Sequence, residues 1–323
     1  MREIILGLKD QLSFLPEIHF FERIKNFSFE NLLIVGMGGS HLAGDLLKTF
    51  FPEKKIFLHE NYDLPLWFKK DFKKTLIVLS SYSGNTKEVL SALDEVLKLK
   101  LKSIVVSANG LLLEKAEKFK LPYLKLPSGL QPRFALGYSF VAFLKILKEE
   151  KFLKKMRKLL SFFEIEKLEK EGKKLAESLK NKIPLIYASQ RFLSLAYIWK
   201  IQFNETAKIP AFFNFFPELN HNEMTGFDIN DKTKFLSEKF YFIFLKAQED
   251  DHRIKKRMDV LKEIFKIKNF SVKIIEFPLR EEILEVFSFI SLAQWTSFYL
   301  SLFYKTNPLE VPVVEEFKKR LKE

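Results

Sequence analysis

The sequence predicts an α/β protein of two similar halves, each a parallel β-sheet flanked by helices. Three observations predict it. Short apolar runs alternate with helical patterns from residue 31 to about 125; a lysine-rich stretch with little strand signal follows over residues 145–180; a second alternating series starts at Ile183. Such alternation reads as repeated strand–helix–strand units, and parallel strands covered on both faces read as continuous apolar runs.

In the first half the strand-like runs are residues 31–36 (NLLIVG), 55–59, 75–80 (TLIVLS) and 102–107, with helices expected over 40–50, 87–98 and 111–119. From Pro132 to Leu179 the pattern turns to lysine-rich amphipathic helices. The junction falls in this stretch, giving domains 1–150 and 151–323. The second half reads as a strand at 183–189, a helix through 191–208, a strand at 241–246, a helix near 251–265, a strand at 271–277 and a long helix from Arg280 to about Phe303. Both series carry strand-to-helix turns of a size to hold a phosphate, and the duplication implies a cleft between the halves. Ligands in open parallel sheets bind beyond the carboxyl ends of the strands, where connections diverge.

The chain has 323 residues, 47% of them hydrophobic and 29% charged, with a net charge of +13. That is enough apolar material for a large core, and it excludes disordered and collagen-like classes. Cysteine is absent, which removes disulfide scaffolds, thiolate zinc sites, iron–sulfur clusters and cysteine nucleophiles. The first fifteen residues carry Arg2, Glu3, Lys9 and Asp10 and no small-residue cleavage site, so they do not read as a secretory signal. No uncharged apolar run is read as approaching the roughly 18 residues of a membrane span. The expectation is a cytoplasmic protein with neither membrane nor nucleic-acid partner, since the positive charge is spread along the chain without an Arg-rich arm. A field favouring small anions is the milder inference. The 36 phenylalanines, with abundant Lys and Glu, suggest a hot environment, and nucleotide bias would give the same composition.

Two loops carry the chemistry. Gly36-Met37-Gly38-Gly39-Ser40 follows an apolar strand and opens a helix, so its backbone can approach a ligand closely and the helix start can meet an anion. A dinucleotide fingerprint would need glycine at position 41, where His41 stands, although Glu60 lies near the ribose-binding distance. The second loop, Ser80-Ser81-Tyr82-Ser83-Gly84-Asn85-Thr86, again links strand to helix. Hydroxyls of Ser81, Ser83 and Thr86 can surround a phosphate there. An ordinary N-cap explains one hydroxyl and leaves two unexplained.

GMGGSHLAGDLL, SYSGNT, PSGLQPRFALGY, FNETAKIPAF and PELNHNEMTGF, in this order, make the chain resemble the bifunctional phosphoglucose/phosphomannose isomerase family of the sugar-isomerase (SIS) superfamily. The resemblance runs from about residue 20 to the C-terminus. It implies two SIS-like subdomains, a hexose 6-phosphate substrate and a homodimer with active sites shared between subunits. Moving a proton between C2 and C1 through an enediolate requires a base, a ring-opening acid/base and nearby positive charge, and no metal or redox cofactor.

Onto this chemistry the resemblance places Glu205 as the base, where an arbitrary helix-surface glutamate would pair with Lys200 or Lys208. His221, among Asn220, Asn222 and Glu223, is expected to open the ring, reaching the neighbouring subunit's site; metal ligation lacks a second histidine at i+4. Arg133 would supply fixed charge beside the enediolate. Lys318, in NPLEVPVVEEFK, matches the family's closing lysine, with Lys319 or Lys305 the alternatives and Asn307 standing where many relatives have Asp. Gly38, Gly39 and Ser40 would line the first loop, and Ser81, Ser83 and Thr86 would bind phosphate. Acceptance of the C2 epimer is linked in the family to a small hydroxyl residue; Thr296 and Thr306 are the nearest, and neither aligns. A non-catalytic sugar-phosphate binder, a nicotinamide-dependent dehydrogenase, and a glucose-only or amino-sugar isomerase stand as alternatives.

Overall fold

The computed structural model describes residues 1–278 and 281–321. The chain divides into two units, Gly7–Ser161 and a C-terminal unit comprising Met1–Leu6 with residues 162–323. The division therefore lies beyond 150/151, between the lysine-rich helices Glu150–Leu159 and Ile165–Ser178.

The N-terminal unit is built on six strands, β1 (Ile18–His19), β2 (Asn31–Val35), β3 (Lys55–His59), β4 (Thr75–Ser80), β5 (Ser103–Ser107) and β6 (Tyr123–Lys125). Their order across the sheet is β1-β6-β5-β4-β2-β3. All neighbours are parallel except the short β1, which pairs antiparallel with β6 and closes that edge. Every residue of β2, β4 and β5 is buried, as expected for strands with helices on both faces. Leu33, Val35, Ile77, Leu79 and Val105 pack beneath Val89, Leu93 and Val96 of the helix Lys87–Leu99. From β2 the chain passes to β3 on one side and then returns to β4 on the other. The order of the parallel strands thus reverses between β2 and β4, and the crevice at their carboxyl ends is the natural binding position of the sheet.

The C-terminal unit has β7 (Ile183–Ser189), β8 (Phe212–Phe216), β9 (Phe240–Leu245) and β10 (Ser271–Ile275), all parallel, in the order β10-β9-β7-β8. β8 is an addition to the expected strands. The expected helix through 191–208 is the α-helix Leu193–Gln202 followed by a π-helical turn, Phe203–Ala207, which Lys208 ends in the left-handed region at φ 59°. One face of the sheet is filled with rings: Tyr187, Phe216, Phe227, Phe242, Phe244, Phe265 and Phe270 form one cluster.

The long helix runs over Glu282–Phe303; Arg280, where it was expected to start, lies outside the described residues. Its segment Val286–Tyr304 is uncharged, so the expectation that no run approaches a membrane span is wrong by length and composition. In the fold the helix is mostly buried and is the core helix of its unit. It crosses the helix Ile165–Ser178 at Gly172, where a Cβ would stand 2.4 Å from the Cβ of Trp295, and the Trp295 indole donates to the Ile165 carbonyl at 3.2 Å.

Candidate active site

The two predicted loops leave β2 and β4 side by side at the strand-order reversal, and hydrogen bonds stitch them together. Ser40 Oγ accepts from the Tyr82 N–H at 3.0 Å, and Ser80 Oγ donates to the Ser40 carbonyl at 2.8 Å. Ser40 is therefore buried and committed to holding the loops in register. Gly38 takes φ +50° in open space, while a Cβ on Gly39 would meet the Arg133 nitrogen and the Pro132 carbonyl carbon at 2.7 Å. Close passage of the Pro132–Phe134 turn, rather than turn geometry, is what requires glycine at 39.

That turn carries Arg133, which is 1% exposed with its guanidinium 4.9 Å over the Phe134 ring. The surface-charge reading of Arg133 therefore fails. Tyr82 joins the same assembly: its hydroxyl donates to the Pro127 carbonyl at 2.7 Å and accepts from the Leu130 N–H at 3.2 Å, and burial raises its pKa. Gly38, Gly39, Ser40, Ser81, Ser83, Thr86 and Arg133 are all held within this one assembly.

Within the second loop the three hydroxyls differ. Ser81 is buried; its Oγ lies 2.8 Å from Thr86 Oγ1 and accepts from the Gly84 N–H at 3.1 Å. Thr86, at the N-cap of Lys87–Leu99, makes no side-chain cap, so the N-cap reading does not hold. Ser83 is exposed and accepts only weakly, from the Asn85 N–H at 3.3 Å. Sequence reasoning missed the third turn, Ser107-Ala108-Asn109-Gly110 after β5. Gly110, at φ +79°, lies where a Cβ would be 2.3 Å from the Ser83 carbonyl, and Asn85 Oδ1 accepts from the Leu111 N–H at 3.1 Å. Its signal was present as a strand ending in Asn-Gly before a helix.

His41, at the position of the missing third glycine, is buried with Nδ1 2.7 Å from Asp45 Oδ2 and Nε2 3.4 Å from Glu60 Oε2. Glu60, the residue at the ribose-binding distance, thus faces an imidazole.

The C-terminal unit has the equivalent reversal between β7 and β9, with a different character. Asp250 and Glu285 are buried there, 6% and 1% exposed, beside Glu249 and Glu282, and Arg191 is bonded to Glu282 at 2.6 Å. Burial, helped by the neighbouring acids, pushes Glu285 up to about 7. Here Asp250 and Glu285, with Arg191 and Lys255 acting on Asp250, already take the Ala247 and Gln248 N–H groups of the turn after β9.

Glu205 lies in the π-helical turn entering β8, half-buried. Lys208 directs its ammonium to main chain, the Glu205 carbonyl and, at 2.9 Å, the Asn307 carbonyl, tying this turn to the segment that leads to Lys318. Asn204 fixes the turn by donating to the Ile209 carbonyl at 2.9 Å. His221 lies on the chain leaving β8, exposed. The five residues of β8 separate the two by ~16 Å of strand. Lys318 is exposed on Pro312–Arg320, a helix with no buried residue. Thr296 spends its hydroxyl on the Leu292 carbonyl of its own helix at 2.7 Å, whereas the Thr306 hydroxyl is buried without a partner. Among the described residues no cluster of three or more His, Asp or Glu could hold a metal ion.

Two units of parallel sheet, one presenting a hydroxyl-rich turn at its order reversal, define a protein of the phosphosugar-isomerase fold. A putative phosphosugar isomerase of Clostridium difficile 630 superposes with a TM-score of 0.72 at 17% identity, over 99% of this chain and 97% of that one. Residues 168–321 match the family described as bacterial phospho-glucose isomerase C-terminal SIS domain. A bifunctional phosphoglucose/phosphomannose isomerase of Caldicellulosiruptor bescii is 33% identical over 100% of this chain and 99% of its own. One from Thermoplasma volcanium is 32% identical over 99% of this chain and 98% of its own. The chain belongs to the bifunctional phosphoglucose/phosphomannose isomerase family, and it is an isomerase.

Proposed function

We propose that the protein reversibly converts glucose 6-phosphate and mannose 6-phosphate into fructose 6-phosphate by proton transfer. The observation that carries the reading is the turn at residues 81–86, where three hydroxyls adjoin a helix start that no side chain caps. A dianionic phosphate gains both from neutral donors and from the positive end of a helix. Curated relatives of matching length carry both activities in their names.

In the proposed reaction Ser83 and Thr86 donate to the phosphate while Ser81 holds the loop in shape, and Gly38, Gly39 and Ser40 shape the first loop. Glu205, as carboxylate, removes the C2 proton of the open-chain aldose. The electron pair left at C2 forms the C1–C2 double bond, and the former carbonyl oxygen O1 takes the negative charge. Arg133 stabilises that enediolate because a guanidinium stays protonated throughout. Protonation at C1 by Glu205, with the O2 proton passing to O1 as O2 becomes the carbonyl, completes the ketose and returns Glu205 to its carboxylate. His221 and Lys318 move protons to and from the ring oxygen and the anomeric hydroxyl. No metal or redox group enters these steps.

The separation of Glu205 and His221 along β8 supports a homodimer in which His221 serves the partner's substrate. The test is an assay of purified protein with EDTA present, following fructose 6-phosphate from each epimer. Both should turn over, and Glu205→Gln should lose ~10²- to 10⁴-fold in kcat. Full activity in Glu205→Gln, or turnover of neither sugar, overturns the reading.

A further inference from the structure

We propose that Glu223 is a positioning residue, clamping the turn that presents His221 by accepting hydrogen bonds from Tyr187 and Asn214 on adjacent strands. The inference rests on the reading of His221 as a ring-opening group.

Tyr187 of β7 and Asn214 of β8 are register partners, so their side chains leave the same face of the sheet side by side. The Tyr187 hydroxyl and the Asn214 amide both donate to the Glu223 carboxylate, one to each oxygen. Tyr187 is fully buried among Phe216, Phe242 and Phe244, with ring centroids 5.6–6.1 Å away. Phenylalanine would fill that space, and this chain uses 36 phenylalanines to 9 tyrosines. A hydroxyl buried there is unfavourable unless it is bonded, and its partner is Glu223. Burial, and then the adjoining carboxylate, raise the Tyr187 pKa, so it remains a donor.

The turn itself is pinned on both flanks of His221. On one side Leu219 is buried and the His221 N–H donates to the Glu218 carbonyl at 2.9 Å. On the other, Asn222 donates to Glu218 Oε1 at 2.7 Å and caps the Glu223–Phe227 turn, whose last residue is sunk among Phe240, Phe242, Phe265 and Phe270. Glu223 is the polar tie between this turn and the sheet. The exposed imidazole is thus carried on a frame whose orientation depends on one carboxylate held by two strands.

Steady-state kinetics with fructose 6-phosphate test this in Glu223→Gln, Tyr187→Phe, His221→Gln and the double variants, each checked for fold by circular dichroism. Glutamine offers one acceptor to two donors, so kcat should fall ~10- to 100-fold with KM within about twofold. Tyr187→Phe fills the same volume and should lower kcat ~3- to 10-fold. In the His221→Gln background neither substitution should lower kcat further, because the clamp acts through the imidazole alone. Full kcat in both single variants, or an equal loss with and without His221, overturns the proposal. If His221→Gln keeps full activity, the reading of His221 falls and the clamp with it; if His221→Gln is inactive while Glu223→Gln is unaffected, the clamp alone falls.

Discussion

Replacing Glu285 by glutamine should stabilise the protein, by an amount that grows from about pH 4.5 and levels off above 7. Glu285 is 1% exposed on the core helix; Oε1 accepts from the Gln248 N–H at 2.9 Å, and Oε2 is buried without a partner. Asp250 beside it accepts from the Ala247 N–H at 2.8 Å, and its Oδ1 is likewise unpartnered. Burial first, then Asp250, Glu282 and Glu249, raise Glu285 from 4.5 to about 7, against the lowering effect of the Gln248 N–H. Between those values the folded chain holds a proton that the unfolded chain has released. Stability therefore falls as pH rises from 4.5 through 7, and this group adds no further change above. At about 1.4 kcal/mol per pH unit the loss reaches about 3 kcal/mol. An amide cannot ionise, keeps an oxygen for Gln248, and turns an N–H toward the acid beside it. At about 1.5 °C per kcal/mol for a chain of 323 residues, Glu285→Gln should melt ~4–5 °C higher than the parent at pH 8, the gap closing toward pH 5. Scanning calorimetry at both pH values measures it. A gap of equal size at pH 5 and 8, or a lower Tm for the variant at pH 8, would refute the reasoning.

Two further substitutions separate binding from scaffold in the N-terminal unit. Ser83→Ala removes an exposed hydroxyl and should raise the KM for fructose 6-phosphate ~10-fold at unchanged Tm, whereas Ser81→Ala, which breaks contacts to Thr86 and Gly84, should also lower stability by about 1–3 kcal/mol. Steady-state kinetics paired with thermal melts distinguish them, and the opposite pattern would assign the phosphate donor to Ser81. Gly39→Ala pushes a methyl into backbone at 2.7 Å, so a destabilisation of about 1–3 kcal/mol with a raised KM is expected from the same measurements; unchanged values would show that the Pro132–Phe134 turn moves freely.

Much of the fold was legible because strands buried on both faces leave unbroken apolar runs. NLLIV and TLIVLS lie in the sequence as they lie in β2 and β4, and the hydroxyl turn that follows β4 is readable for the same reason. β8 was not read. Its FFNFF has exposed and half-buried positions and sits between two polar motifs, in a chain where phenylalanine is too common to signal a strand. β1 is two residues long and is fixed by pairing with β6, a contact that no local pattern encodes. At the site, the residue types were readable while their division of labour was not. Ser40 and Ser81 are consumed by hydrogen bonds within the protein, and only coordinates separate them from Ser83. The buried acids of the second sheet escaped notice because Asp250 and Glu285 lie far apart in sequence and meet only through the fold.

The uncharged segment of the core helix has a consequence for synthesis on the ribosome. Emerging alone, Val286–Tyr304 would offer a membrane-insertion machinery the same greasy stretch as an anchor. Its docking partners, the helices Ile165–Ser178 and Leu193–Gln202, have been made by then and can already be folding, since chains fold from the N-terminus as they grow. The order of translation delivers this segment only after the surface that shelters it has been made.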